Sequence, residues 1–570
     1  MKFGLAQYTL DHFFAMVVEQ HASRPALALV GDTPFTYLEF DERVRELQST
    51  LRSLGIKKQD KIAILGQSSP HWAIAYSATV TMGAVAVPVL EEFPASDIDH
   101  ILRHSEATAL FISEHHFESL NIEALEGIPL VLKLDDFSML SKDEIAPKRI
   151  WRQLQDLPDK VLKSFEKSDL TKEEINEDDL AEILYTSGTT GHSKGVMLTH
   201  KNIVSNIFEG PDLLKVIDQK SVILSILPLA HAFGCTSGFL SIIYCGGSIY
   251  YLDKPPAPKV LMHAMQSIRP TILGAVPLVF EKIYHKQVVP TIAKSPVLRL
   301  LAKTSATKKI LYKIIGKKIN KLLGGRLDCV IIGGAAFSPE VELFMQHGKI
   351  PYCIGYGMSE CAPLITFSSM QTQKAGSPGH AVSDVSLKII EADPQNGIGE
   401  ICVEGPNVML GYFKNKEATA NAFTQDGWLI TGDRGYIDDD GFLFITGRSK
   451  NVIIGPSGEN IYPETIEAKL MESIFVEETI VYEIDKQLVA RIHPNYAYIQ
   501  NAEHKKDESD LATDILKILE NVRREINHKL PGFSKIVKVI EQQSPFIKTP
   551  TNKIKRAEYV PGYLTKTSEM

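Results

Sequence analysis

Hydroxyl and cationic side chains crowd into one short stretch of this sequence, Tyr185-Thr186-Ser187-Gly188-Thr189-Thr190-Gly191-His192-Ser193-Lys194-Gly195. Its three glycines let the backbone fold closely enough for N–H groups to converge on an anion. The hydroxyls of Thr186, Ser187, Thr189 and Thr190 add donors, and Lys194 adds charge. Such a donor set suits phosphate oxygens and points to a nucleoside triphosphate. It is not a Walker loop, because Lys194 precedes a glycine and no hydroxyl follows it to hold magnesium. A Ser/Thr/Gly-rich surface hairpin has the same composition, and the stretch alone does not choose between the two.

The elements around it suggest how it is held. Apolar runs on either side, Ala181 to Leu184 and Val196-Met197-Leu198, make the stretch a tight loop between two short strands. Upstream, the spacing is helical from Leu10 to Leu54, with Phe35 to Glu39 entering a helix that ends at Gly55. Lys61 to Leu65 then reads as a strand, Trp72 to Met82 as a helix bounded by Gly83, and Ala84 to Val89 as the next strand. This alternation indicates layered sheets flanked by helices. Lys142 to Asp179 is polar and reads as a surface approach to the loop. Further on, Cys329-Val330-Ile331-Ile332 is a buried strand that runs into Gly333-Gly334-Ala335-Ala336, where small side chains let a flat ring lie against the backbone. Near the C-terminus a helix from Asp510 ends at Leu530 before Pro531-Gly532, after a charged surface excursion from Asn501 to Ser509.

Composition narrows the class. A chain of 570 residues, 44% hydrophobic and 23% charged, is that of a globular protein with several domains. A net charge of −8 argues against nucleic acid as a partner. The six cysteines show neither C-x-x-C pairing nor zinc-finger spacing and read as reduced, mostly buried thiols. The start, Met1-Lys2-Phe3-Gly4, has no charged lead into an apolar core, so a cytoplasmic location is expected. Ser221 to Leu252 lacks Asp, Glu, Lys and Arg, yet Pro228, His231, Gly234, Gly238 and Gly246-Gly247 interrupt it; two buried elements joined by a functional turn are expected rather than a membrane span. His115-His116 with Glu118 lacks a third ligand and reads as solvated surface histidines. Between Glu281 and Asp328 stand twelve Lys/Arg and no Asp or Glu. Within that run Leu311, Ile314, Ile315, Ile319 and Leu322 fall at helical spacing opposite Lys313, Lys317 and Lys321. The segment 282–326 is therefore either a surface helix packed on its domain or a peripheral contact with an anionic membrane, at the inner membrane surface.

Seven further segments accompany the loop. They are Leu227 to Gly234, Gly333 to Ala336, Tyr356-Gly357-Met358-Ser359-Glu360, Thr431-Gly432-Asp433, Thr446 to Lys450, Gly458 to Pro463, and Lys548-Thr549-Pro550-Thr551-Asn552-Lys553-Ile554. In order and spacing the eight resemble the adenylate-forming ligases, the superfamily of acyl-CoA synthetases, luciferases and peptide-synthetase adenylation domains. Within it the chain is most similar to long-chain fatty acyl-CoA synthetases, through Pro270 to Pro277 with Phe280 to Tyr284, Tyr356 to Thr366, and Gly405 to Met409.

The resemblance implies an α/β fold: a large N-terminal adenylation domain, 1–449, of layered α/β sheets with a small barrel-like subdomain, then a small mobile α+β domain, 450–570, hinged at Lys450. It implies ATP held by Thr186, Ser187, Gly188, Thr189, Thr190 and Lys194, by Gly334, Ala335, Ala336, Tyr356 and Gly357 around the adenine, by Ser359 at the α-phosphate, and by Asp433 with Arg448 at the ribose. Glu360 and Thr186 would hold Mg²⁺. His231, Phe233, Gly274 and Val276 would bind the acyl end, and the Gly458 segment coenzyme A. Lys553 would bridge the substrate carboxylate and the α-phosphate, where two anions meet and the barrier is largely electrostatic.

Three positions depart from the family pattern: Ser359 for threonine, Asn552 for glycine and Ser193 for proline. In amino-acid-activating relatives an aspartate follows the Phe233 position; here Gly234-Cys235-Thr236-Ser237 stands there, which favours a plain carboxylic acid. The implied reaction is fatty-acid activation through an acyl-adenylate, then thioester formation with coenzyme A. The alternatives are a fatty acyl-AMP ligase or acyl-carrier-protein ligase, and a non-catalytic acyl-adenylate or lipid-binding scaffold, against which Lys553, Glu360 and Asp433 speak.

Overall fold

The computed structural model of the protein describes residues 5, 7–119, 125, 127–140, 173–186, 193–210, 215–454, 460–502, 508–549, 553–561 and 563. Two large sheets form its main layers. The seven-stranded sheet runs, in spatial order, Gly411–Tyr412, Lys194–Thr199, Leu180–Thr186, Val85–Val89, Lys61–Leu65, Ala109–Ile112 and Leu130–Lys133. Its five strands from Leu180–Thr186 to Leu130–Lys133 are parallel, and Lys194–Thr199 and Gly411–Tyr412 join antiparallel at one edge. Parallel strands covered on both faces read as unbroken apolar runs, as in Val85–Val89, where every residue is buried. The helix Pro70–Thr81 shows the same signature: Ser69 caps it, and it is buried on nearly every side, so it lies between layers.

The nine-stranded sheet holds Tyr352–Gly357, Cys329–Ile332, Ile272–Ala275, Val222–Ser225, Ser248–Tyr251 and Pro25–Leu29 as a parallel centre. Antiparallel strands flank it: Leu364–Ser368 and His380–Ala381 on one side, Phe35–Thr36 on the other. Pro25–Leu29 and Phe35–Thr36 interrupt the helical reading of Leu10 to Leu54, leaving helices at Leu10–His21 and Tyr37–Ser53. The uncharged run from Ser221 to Leu252 forms three elements rather than two, with a helix over Phe233–Tyr244 between two strands of this sheet. Among the described residues no helix is long and apolar enough to cross a membrane.

The expected barrel-like subdomain takes the form of a four-stranded antiparallel sheet, Ser386–Ile390, Gly399–Glu404, Leu429–Ile437 and Leu443–Arg448. Beyond it the chain builds a separate core from Ile453 to Val539. That part has the antiparallel pair Val476–Ile484 and Gln487–Pro494, the parallel strand Lys538–Glu541, and the helices Pro463–Leu470 and Glu508–His528.

Candidate active site

Thr186 and Lys194 close the mouth of the phosphate-loop hairpin, paired directly across the two strands. Thr199 anchors the outgoing strand as the cap of helix His200–Ile207, its hydroxyl accepting from Asn202 N–H while the Asn202 side chain accepts from Thr199 N–H. Ser187, Gly188, Thr189 and Thr190 lie outside the described residues, as does Gly458. The Lys194 ammonium stands 5.0 Å from the centroid of the Tyr412 ring. The Tyr412 hydroxyl in turn donates to Glu360 Oε1 at 2.9 Å. Tyr412 thus joins the phosphate loop to the carboxylate, a role with no sequence signal, because the two residues are 52 positions apart.

Glu360 is buried, in the turn Ser359–Cys361 that follows the strand Tyr352–Gly357. Its carbonyl accepts from Met409 N–H at 2.9 Å, and Asn407 Nδ2 donates to the carbonyls of Cys361 and Leu364 at 3.0 and 2.8 Å. Gly357 precedes this turn for a steric reason: a Cβ there would lie 2.0 Å from the Pro363 carbonyl oxygen. Gly334 needs its freedom differently, with φ +88° in the segment Gly333 to Ala336. Gly334, Ala335 and Ala336 are exposed, so the backbone there is open to a ligand.

Tyr356 and Asp433 meet across sheets. The Tyr356 hydroxyl donates to Asp433 Oδ2 at 2.7 Å, and Arg448 Nε lies 2.8 Å from Asp433 Oδ1. Asp433 and Arg448 are partners in register on neighbouring strands, and Thr431 Oγ1 accepts from Asp433 N–H at 3.1 Å. Burial first, then the Asp433 charge, holds the Tyr356 hydroxyl well above its ordinary range, so it acts as a donor.

The acyl-side candidates adjoin the nucleotide-side ones. The Phe233 ring lies over Gly333, with Cε1 3.3 Å from the position of a Cβ there, and Val276 Cγ1 is 3.6 Å from the corresponding position at Gly334. Gly274 leaves room for Leu227, whose Cδ1 would be 3.2 Å from an added Cβ. His231 Nδ1 accepts from Phe233 N–H at 3.2 Å. Burial, and next the Lys553 charge, push His231 down to about 4, so it is neutral at pH 7.

Lys553 arrives from the C-terminal part of the chain. Its ammonium is in electrostatic range of Arg448, Asp433, Glu360 and His231. The charge of Lys553 is disfavoured first by burial and then by Arg448, while Asp433 and Glu360 favour it. Lys450 is likewise held below its ordinary value, by burial and then by Lys194 and Arg448. The segment around it is tied on both sides: Ser449 Oγ donates to Glu400, Asn451 Nδ2 to Glu464 Oε1, and Thr465 Oγ1 to the Thr446 carbonyl at 3.1 Å. His116, by contrast, is engaged with Glu91 at 2.6 Å, and no cluster of three or more His, Cys, Asp or Glu able to hold a metal occurs among the described residues. Magnesium is commonly held by one or two carboxylates plus substrate phosphates. One buried carboxylate, Glu360, beside a phosphate-loop hairpin therefore fits it.

A sequence model of the family described as AMP-binding enzyme matches residues 14–413. Long chain acyl-CoA synthetase 3 of Arabidopsis thaliana is 30% identical, over 94% of this chain and 86% of its own length. The chloroplastic long-chain-fatty-acid--[acyl-carrier-protein] ligase AEE15 of the same plant is 26% identical, over 97% of this chain and 85% of its own. Among solved structures, ATP-bound MatB from Rhodopseudomonas palustris shares the fold with a TM-score of 0.73 at 23% identity, covering 97% of this chain and 99% of that one. With its phosphate-loop hairpin, its paired Asp433 and Arg448, and these relatives, the chain belongs to the AMP-binding enzyme family and is an adenylate-forming ligase similar to the long-chain acyl-CoA synthetases.

Proposed function

We propose that the protein activates a long-chain fatty acid with ATP to an acyl-adenylate and pyrophosphate, then transfers the acyl group to coenzyme A. The observation that carries this reading is that Lys553 lies within electrostatic range of Arg448, Asp433, Glu360 and His231. A carboxylate attacking an α-phosphate brings like charges together, and Lys553 is the cation available to bridge them. Asp433 accepts the ribose hydroxyls while Arg448 and Tyr356 hold its carboxylate in place. Ser359 contacts the α-phosphate, and Lys194 with Thr186 and the loop Ser187 to Thr190 holds the departing pyrophosphate. Glu360 and Thr186 would hold Mg²⁺, which supplies charge neutralisation at the phosphates. Neutral His231, with Phe233, Gly274 and Val276, orients the acyl end without adding a charge that would favour a second carboxylate.

For the second step we propose a boundary at Ser449 and Lys450, about which the C-terminal domain turns to withdraw Lys553 and bring in the Gly458 segment with coenzyme A. A carrier-protein thiol is the second reading, supported by the acyl-carrier-protein ligase among the relatives.

Pyrophosphate release and thioester mass analysis, with a panel of free acids and with coenzyme A and holo carrier protein offered separately, test the proposal. Each buried methylene is worth about 0.8 kcal/mol, so efficiency should climb with chain length and the coenzyme A thioester should dominate. Acetate used as well as palmitate, or an amino acid preferred to both, would overturn the substrate class.

A further inference from the structure

Six of the nineteen large apolar side chains left exposed among the described residues fall in one short segment: Val297, Leu300, Leu301, Ile310, Ile314 and Leu322. Scattered exposed apolar residues are normal, but so dense a group marks an interaction surface. Val297 and Leu300 are 65% and 66% exposed, and Ile310 and Ile314 are 62% and 56% exposed. They lie on two helices: Pro296–Leu301, none of whose residues is fully buried, and Ser305–Leu322, which buries one side against the domain. Leu298 and Ala302 pack on the same core that buries Leu311, Tyr312, Ile315 and Ile319. The apolar set expected to form one face of the longer helix is therefore split, with Leu311, Ile315 and Ile319 turned to the core and Ile314 and Leu322 to solvent. Its outward stripe is Ile310, Ile314, Lys317 and Lys321 at helical spacing, flanked by Lys313, all exposed.

The charge of this surface runs against that of the molecule. Twelve Lys/Arg and no acid stand between Glu281 and Asp328 in a chain of net charge −8, and no described ion pair engages any of the twelve. A second copy presenting the same face would set cation against cation. Nucleic acid would satisfy the lysines and leave the apolar side chains without a partner. An anionic bilayer satisfies both, taking apolar side chains into the headgroup boundary and lysines onto lipid phosphates. The helices also cover the core that contains Leu273, Ala275 and Phe280, the layer that carries Gly274 and Val276. We propose that the outward faces of Pro296–Leu301 and Ser305–Leu322 form a docking surface for an anionic lipid bilayer.

Co-sedimentation of the full chain with phosphatidylcholine vesicles, with and without phosphatidylglycerol, tests this without any turnover, so its failure is separable from failure of the acyl-ligase reading. Wild-type protein should pellet with the anionic vesicles at low salt and be released as salt shortens the screening length from about 10 Å at 0.1 M to about 3 Å at 1 M. Each basic residue near such a surface is worth roughly fivefold, so Lys313→Glu/Lys317→Glu/Lys321→Glu should weaken partition by about a hundredfold or more. Leu300→Ser/Ile310→Ser/Ile314→Ser should weaken it independently while keeping all the charge. Both triples change exposed positions, and unchanged melting temperatures would certify their folding. Wild-type protein left in the supernatant with anionic vesicles at low salt would overturn the proposal. So would variants that pellet as wild type does, or concentration-dependent dimerisation or DNA binding in place of vesicle binding.

Discussion

Lys553 and Asp433 show what single side chains contribute to the candidate site. A cation that burial and Arg448 disfavour, but that Asp433 and Glu360 retain, is poised to respond to new negative charge. If it acts where charge builds at the α-phosphate, Lys553→Ala should slow adenylate formation by about 10² to 10³. Thioester formation from a supplied acyl-adenylate should stay within a few fold, and the two half-reactions can be read as pyrophosphate release and thioester yield. Equal loss in both would contradict the assignment. Asp433 accepts from Tyr356 and pairs with Arg448, so both are already oriented around its carboxylate. Hydrogen bonds to a charged group are worth roughly 1.5 to 3 kcal/mol, so Asp433→Ala should weaken ATP binding about 10- to 100-fold by calorimetry. An unchanged ATP affinity would remove Asp433 from the ribose site.

At the scale of elements the test case is the proposed hinge. The segment Ser449–Asn451 is fastened to Glu400 in the four-stranded sheet and to Glu464 at the start of the helix Pro463–Leu470. Lys553 lies beyond this segment in the chain and within electrostatic range of Asp433 and Glu360, which precede it. Lys450→Pro fixes φ at the centre of that segment. Adenylation should be nearly unaffected while thioester formation from the adenylate slows by an order of magnitude or more, because only the second step requires the proposed rotation. Stopped-flow assays of the separate half-reactions decide it. A wild-type rate of thioester formation would place the pivot elsewhere. The phosphate-loop hairpin makes a complementary point: its strands, its Thr199 cap and Lys194 are set by local pattern, whereas the contact with Tyr412 depends on a distant strand docking at the sheet edge.

At the scale of the whole molecule, burial reaches titratable groups that play no part in the proposed reaction. Glu182, in the strand leading to the phosphate loop, is 2% exposed, and burial pushes its carboxyl up to about 8, with the Tyr76 hydroxyl donating to it at 3.1 Å. The folded state therefore keeps its proton where the unfolded chain, near 4.5, has lost it. Stability from this group is full below about 4.5 and is lost as pH rises through about 8. Glu182→Gln removes that titration, so its melting temperature should gain on wild type progressively from pH 5 to pH 8; a constant gap would contradict it.

Much of the architecture was legible in the chain, because parallel strands buried on both faces must be continuous apolar runs, as at Lys61–Leu65, Val85–Val89 and Cys329–Ile332. The candidate residues Thr186, Lys194, Tyr356, Glu360, Asp433, Arg448 and Lys553 were legible too, since their types and spacing form motifs. Short strands such as Pro25–Leu29 were not, because five residues between two helices carry too little periodicity to be told from helix. Which face of Ser305–Leu322 meets the core was also undecided by spacing, because Ile314 and Ile315 both fit an apolar stripe. Only packing assigned Ile315 to the interior and Ile314 to the surface. Tertiary structure alone also brought Tyr412 to Glu360, Phe233 onto Gly333, and Lys553 into electrostatic range of Asp433, because residues far apart in sequence come together only once separate layers have packed.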